Sequence, residues 1–80
     1  MHIQIYSREG CVFCIKAERV AKELIQNPKH TYDKYMLGED FTREQLFEKF
    51  PHAKTFPQIT IDGINIGGYN EFFKKMYPYA

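Results

Sequence analysis

Between Val12 and Gln26 the chain has neither glycine nor proline, and Ala17, Val20, Ala21 and Leu24 recur at the spacing of one helix face. Just before this stretch, residues 2 to 6 alternate, with Ile3 and Ile5 on one side and His2, Gln4 and Tyr6 on the other, which is the period of a strand. A change of period from 2 to 3.6 within a dozen residues opens a strand–helix unit and leaves few arrangements for the rest of the chain. Pro28 stops the helix, because it lacks a donor and disfavours helical backbone in Asn27. Residues 31 to 37 alternate again and form a second strand. A right-handed crossover through the helix makes it parallel to the first.

The remaining punctuation completes the pattern. Thr42 with Gln45 is a capping box, and Phe41 with Leu46 has the spacing of a hydrophobic staple, so a second helix runs from Arg43 to Phe50, before Pro51. "PQITIDGINIGG" reads as a hairpin with its turn at Asp62-Gly63. After Gly67-Gly68, the residues Tyr69, Phe72, Phe73 and Met76 space out as a third helix that Pro78 closes. The order is βαβαββα, an α/β layer in which the hairpin joins antiparallel and three helices cover a four-stranded mixed sheet. Residues 1–80 suffice for one domain, and its small core is helped by seven Phe and six Tyr.

Eleven Lys and Arg against ten acids, interspersed, leave a net charge of +1, which is no footprint for nucleic acid or an anionic membrane. The N-terminus has no basic region followed by an apolar run, and no segment is long enough to span a bilayer. A cytoplasmic location is therefore expected, where ordinary thiols stay reduced.

Cys11 and Cys14 are the only cysteines, and they fall where the first strand gives way to the first helix. As a staple, a loop of about four residues would contribute roughly 2 kcal/mol. As a structural zinc site they lack partners, since His2, His30 and His52 show no zinc-like spacing. As a redox pair they have a mechanism. The unpaired amides and positive dipole end at a helix N-terminus favour a thiolate at Cys11, and Arg8 adds a nearby positive charge. Cys14, on the core-facing stripe with Ala17 and Ala21, is expected to be the less exposed thiol. No metal ligand is assigned.

"YSREGCVFC", "TFPQI" and "IGGYNEF" stand in this order and spacing over nearly the whole chain, and together they resemble the glutaredoxins of the thioredoxin fold. The resemblance implies that Cys11 is the nucleophile and Cys14 the resolving cysteine. It implies a cis Pro57 that sets the Phe56 backbone beside Cys11, in reach of the cysteine of a bound glutathione. The amides of Gly68, Tyr69 and Asn70 would receive the γ-glutamyl carboxylate, as helix N-termini receive anions. Arg8 or Lys54 would meet the glycyl carboxylate, with Thr55 and Phe13 completing the site and Glu71 either pairing with the ammonium or capping the helix. Val12 and Phe13 replace the Pro and Tyr usual in the family. The missing Pro supplies an extra Val12 N–H toward the Cys11 sulfur, and the missing Tyr removes a hydroxyl.

The expected function is glutathione-dependent reduction of protein disulfides and glutathione mixed disulfides by a monomer, with ribonucleotide reductase as a protein client. Glutathione serves as co-substrate, and no cofactor is tightly bound. One alternative is a glutaredoxin-like thioredoxin reduced by thioredoxin reductase, against which "GGYNE" speaks. Another is a carrier of an iron–sulfur cluster ligated by Cys11 and glutathione.

Overall fold

A computed structural model describes residues 1–79. The chain runs β1 (His2–Ser7), α1 (Val12–Leu24), β2 (Thr31–Met36), α2 (Arg43–Lys49), β3 (Gln58–Ile61), β4 (Ile64–Gly67), α3 (Tyr69–Met76). The sheet order is β2-β1-β3-β4, with β1 parallel to β2 and antiparallel to β3, and β3 antiparallel to β4.

β1 lies inside the sheet and its two faces meet different layers. Ile3 and Ile5 point to one face, where they pack with Ile59 and Ile61 of β3, Ala17, Val20 and Ala21 of α1, and Phe72 of α3. The small Ala17 and Ala21 let α1 approach the isoleucines closely, and both alanines are fully buried. Tyr6 faces the other way, into a second cluster with Phe41, Leu46 and Phe50, its ring edge-on to Phe41 and Phe50 at 5.4 and 5.2 Å. On the same side, Thr60 Oγ1 donates to Gln4 Oε1 (2.8 Å), and Gln4 Nε2 reaches the Tyr35 hydroxyl (3.4 Å). A polar line thus crosses three strands.

Each end of α2 is set locally. Thr42 Oγ1 accepts the Gln45 N–H (3.1 Å) and Gln45 Oε1 accepts the Thr42 N–H (2.9 Å), closing the capping box. Phe41 and Leu46 are buried on either side of it. At the hairpin, Asp62 and Gly63 both take positive φ (51° and 82°), as a two-residue turn matched to strand twist demands. Asp62 also ties the turn to β1: its Oδ1 accepts the His2 N–H and its own N–H donates to His2 O, both at 2.8 Å.

Some boundaries differ from the sequence reading. α1 ends at Leu24 rather than Gln26: Ile25 caps it, and the Gln26 and Asn27 amides bond three residues back in the tighter turns common at helix ends. β2 ends at Met36, because Leu37 pairs with Phe41 in a loop closed by Asp40, whose carboxylate accepts the Met36 N–H at 2.8 Å. α2 stops at Lys49, with Phe50 as its cap turned into the second cluster. β1 extends one residue further, to Ser7, which pairs with Met36.

β2 is an outer strand, and Asp33 and Lys34 are exposed on it. Lys34 reaches Glu18 of α1 (3.2 Å), which also holds Lys22 (3.1 Å). Partial burial pushes the Glu18 carboxyl up, but hydrogen bonds from Lys22 and Lys34 outweigh it and hold the carboxyl below the usual carboxylate range.

Two measurements check this account. Thr42→Ala should cost about 1 kcal/mol and lower Tm by about 4–8 °C in a thermal melt, whereas an unchanged Tm would mean that the box does not hold α2. Glu18 has a folded pKa below its unfolded one, so its contribution is complete above the unfolded value and is lost as pH falls through the folded one. Urea midpoints of the parent and Glu18→Gln should therefore differ at pH 7 by less than about 1 kcal/mol and converge in acid; a constant gap would exclude the ion pairs as its source.

Candidate redox site and adjoining cleft

Where β1 ends, residues 8–10 turn the chain and Cys11 enters α1 as its N-cap, in extended backbone (φ −98°, ψ 108°). The Cys11 sulfur takes the place of the oxygen that usually caps a helix: it accepts the Cys14 N–H at 3.1 Å. That amide, not Val12's, reaches the sulfur. A capping side chain curls back onto the second or third helical amide, and the first is too close in sequence to be met. The first turn of α1 carries no acidic residue. Cys11 and Cys14 are joined as a disulfide with their Cα atoms 5.2 Å apart. Both are buried, Cys11 at 8% and Cys14 at 4% exposure, so the less exposed residue is the second one.

The loop before β3 approaches from the strand next to β1. Phe56–Pro57 is a cis peptide, and Phe56 O lies 3.7 Å from Cys11 Sγ. Gln58 Nε2 donates to Thr55 O (2.8 Å), which steadies the loop from below.

Beside this junction opens a cleft of about 490 Å³. Arg8 and Phe13 come to it from the cysteine loop and α1, and Lys54, Thr55, Phe56 and Pro57 from the loop before β3. Gly68, Tyr69 and Asn70 come from the start of α3. All nine residues expected to contact a ligand therefore line one cleft, next to the two cysteines. Phe13 is not a core aromatic, being 49% exposed, whereas Tyr69 packs against the first cluster, and the two rings lie 5.8 Å apart on the cleft wall. Arg8 lies over the Phe56 ring at 5.8 Å, so its charge is carried on an aromatic floor.

The cleft carries charges of both signs. Three cations, Arg8, Arg43 and Lys54, line it together with one acid, Glu71. Gly68 caps α3 without any side-chain hydrogen bond, which leaves the first amides of that helix without a side-chain acceptor. Glu71 folds back toward this start: a β-carbon placed on Gly67 would meet its side chain at 3.2 Å, and Gly67 has a φ of 114°, so only glycine fits both demands. Arg43 is absent from the sequence-based set. The capping box places it at the start of α2, but no local signal shows that this start faces the cysteine loop. Among the described residues, no three His, Cys, Asp or Glu side chains come together as a metal ligand set.

Comparison with known proteins finds relatives of this chain in sequence and in fold. The sequence model of the Glutaredoxin family matches residues 3–66. Glutaredoxin 1 of Escherichia coli (strain K12) is 33% identical over 75 residues, covering 90% of this chain and 88% of the relative. A glutaredoxin of Haemophilus influenzae is 32% identical over 75 residues, covering 90% of this chain and 86% of that one. Among solved structures, reduced Escherichia coli glutaredoxin superposes with a TM-score of 0.81 at 32% identity over the whole of both chains. The oxidised form gives 0.80 at 30% identity, over 99% of this chain and 96% of the other.

The capped sulfur makes a prediction of its own. In reduced protein, alkylation of Cys11 followed against pH should show a midpoint below the ~8.5 of free cysteine, because an amide and the helix dipole favour the anion. A midpoint at or above that value would remove the electrostatic basis for a reactive Cys11.

Proposed function

This chain belongs to the glutaredoxin family and is a thiol–disulfide oxidoreductase with Cys11 and Cys14 as its redox pair, and on that premise we propose that glutathione is its reductant. The observation that carries the proposal is the charge pattern of the cleft beside the cysteines. Glutathione has two carboxylates at its ends and one ammonium. The cleft offers Arg8, Arg43 and Lys54, the unfilled amides at the start of α3, and Glu71. We assign the γ-glutamyl carboxylate to Gly68, Tyr69 and Asn70, its ammonium to Glu71, and the glycyl carboxylate to the three cations. The glutathione cysteine then lies against Phe56, Pro57 and Thr55, with Phe13 as an apolar wall.

In the proposed cycle the Cys11 thiolate attacks a substrate disulfide, forming a mixed disulfide and releasing one thiolate. The Cys14 thiol loses its proton to solvent and attacks Cys11 Sγ, which closes the Cys11–Cys14 bond and expels the second substrate thiolate. Glutathione reopens that bond: one molecule forms a mixed disulfide at Cys11, and a second displaces Cys11 and leaves as glutathione disulfide. When the mixed disulfide is already with glutathione, the second molecule acts alone and Cys14 is not needed.

Val12, Phe13 and Ile15 expose 62%, 49% and 52% of their surface around the first turn of α1. Such a patch beside the sulfur suits a protein client, and ribonucleotide reductase is the client that family resemblance suggests. We place the activity in the reducing cytoplasm, carried out by a single-domain monomer.

Turnover of a glutathione mixed disulfide should proceed with glutathione and glutathione reductase. Turnover with thioredoxin reductase alone would refute the assignment. Cys11→Ser should abolish all activity. Cys14→Ser should retain reduction of glutathione mixed disulfides and lose reduction of protein disulfides that need both thiols; equal losses on both substrates would contradict the roles given.

A further inference from the structure

A smaller recess of about 170 Å³ adjoins the disulfide, lined by residues that include Ser7, Arg8, Glu9, Cys11, Cys14, Glu18 and Lys34. Ser7 is 2% exposed, and its hydroxyl is a buried polar atom without a hydrogen-bond partner. Its position is set by the strand. Ile3 and Ile5 fill the face of β1 that α1 covers, and the period of two puts Ser7 next in that row, toward the first turn of α1. An isoleucine row thus ends in a hydroxyl at the level of Cys14. Leaving such a group unsatisfied costs about 1–3 kcal/mol, a large share of the stability of so small a domain. Two other charged groups of the recess are engaged with each other, since Glu18 holds Lys34 at 3.2 Å, as well as Lys22 at 3.1 Å.

In the disulfide form Ser7 shares the recess with Cys14 but makes no hydrogen bond to it. While Cys14 Sγ is bonded to Cys11 Sγ it has no proton to give and no charge to be stabilised. Reduction changes both. A reductant thiolate attacks Cys11 Sγ, the Cys11–Cys14 bond breaks, and its electron pair leaves on Cys14 Sγ, which then takes a proton from solvent. The reductant's second thiolate displaces Cys11 as a thiolate and closes the reductant's own disulfide. We propose that the Ser7 hydroxyl is the hydrogen-bond partner of the released Cys14 sulfur, donating to it as it leaves as a thiolate and accepting from it once it is a thiol. Ser7 is thereby satisfied only in the reduced protein, and it shifts the redox equilibrium toward the dithiol. This hydrogen bond requires only the Cys11–Cys14 couple and forms whatever the physiological reductant.

Equilibration of the full chain with mixtures of reduced and oxidised dithiothreitol, read as the fraction of free thiol by alkylation and mass, tests it without glutathione. Ser7→Ala should move the equilibrium constant about fivefold toward the disulfide, the size of one net hydrogen bond, while Ser7→Thr should stay nearer the parent. Urea midpoints of both redox forms separate this from a packing effect: Ser7→Ala should lower the midpoint of the reduced form and leave that of the oxidised form equal or higher. An equilibrium constant within twofold of the parent, or equal loss in both forms, would overturn the proposal.

Discussion

A helix must hand its first amide hydrogens to an acceptor, and in α1 one of them goes to a sulfur. That single contact, from the Cys14 N–H to Cys11 Sγ, is made possible by the strand that precedes it. β1 sits between a parallel and an antiparallel neighbour and is fixed on both faces, so the point at which its chain leaves the sheet is fixed as well. The loop before β3 is anchored next door, which brings Phe56 O to the same sulfur. Redox chemistry therefore arises where two rigid strands end side by side, and the side chains around it need only be supplied by short turns.

The cleft depends on the same placement. Its walls come from four places far apart in the chain: the cysteine loop, the start of α2, the loop before β3 and the start of α3. Aromatic contacts knit the walls together, with Phe13 against Tyr69 and then Tyr69 against Phe73 and Phe73 against Tyr77. The stacking of Phe41 with Phe56 links the second cluster to the loop beside Cys11, so packing under α2 bears on the geometry at the sulfur.

How far these features could be read in advance depends on whether their cause is local. The alternation of β1, the capping box at Thr42 and Gln45, and the Asp62-Gly63 turn each act within a few residues, and each stands in the structure where the sequence puts it. Eight of the nine expected cleft residues lie in three short segments whose spacing resembles a family, and Lys54 immediately precedes one of them. Arg43 was not legible in this way, because its approach to the cleft depends on how α2 packs under Tyr6. Nor was the irregular pairing between Ile59 and Thr60, where the register of β3 against β4 shifts. The burial of Ser7 was equally hidden, since a serine at the end of a strand looks like the first residue of a loop.

The outer strand β2 has a consequence for behaviour at high concentration. A strand with a free row of backbone groups invites another copy to dock along it, and long apolar edges are where such zippering begins. Here that margin carries Asp33 and Lys34, and Lys34 is leashed to Glu18 rather than free to fold away. A second molecule approaching in register would set like charges near one another and strip a tethered ammonium of its water. The same lysine that ties helix to sheet thus also keeps neighbours from adding to it.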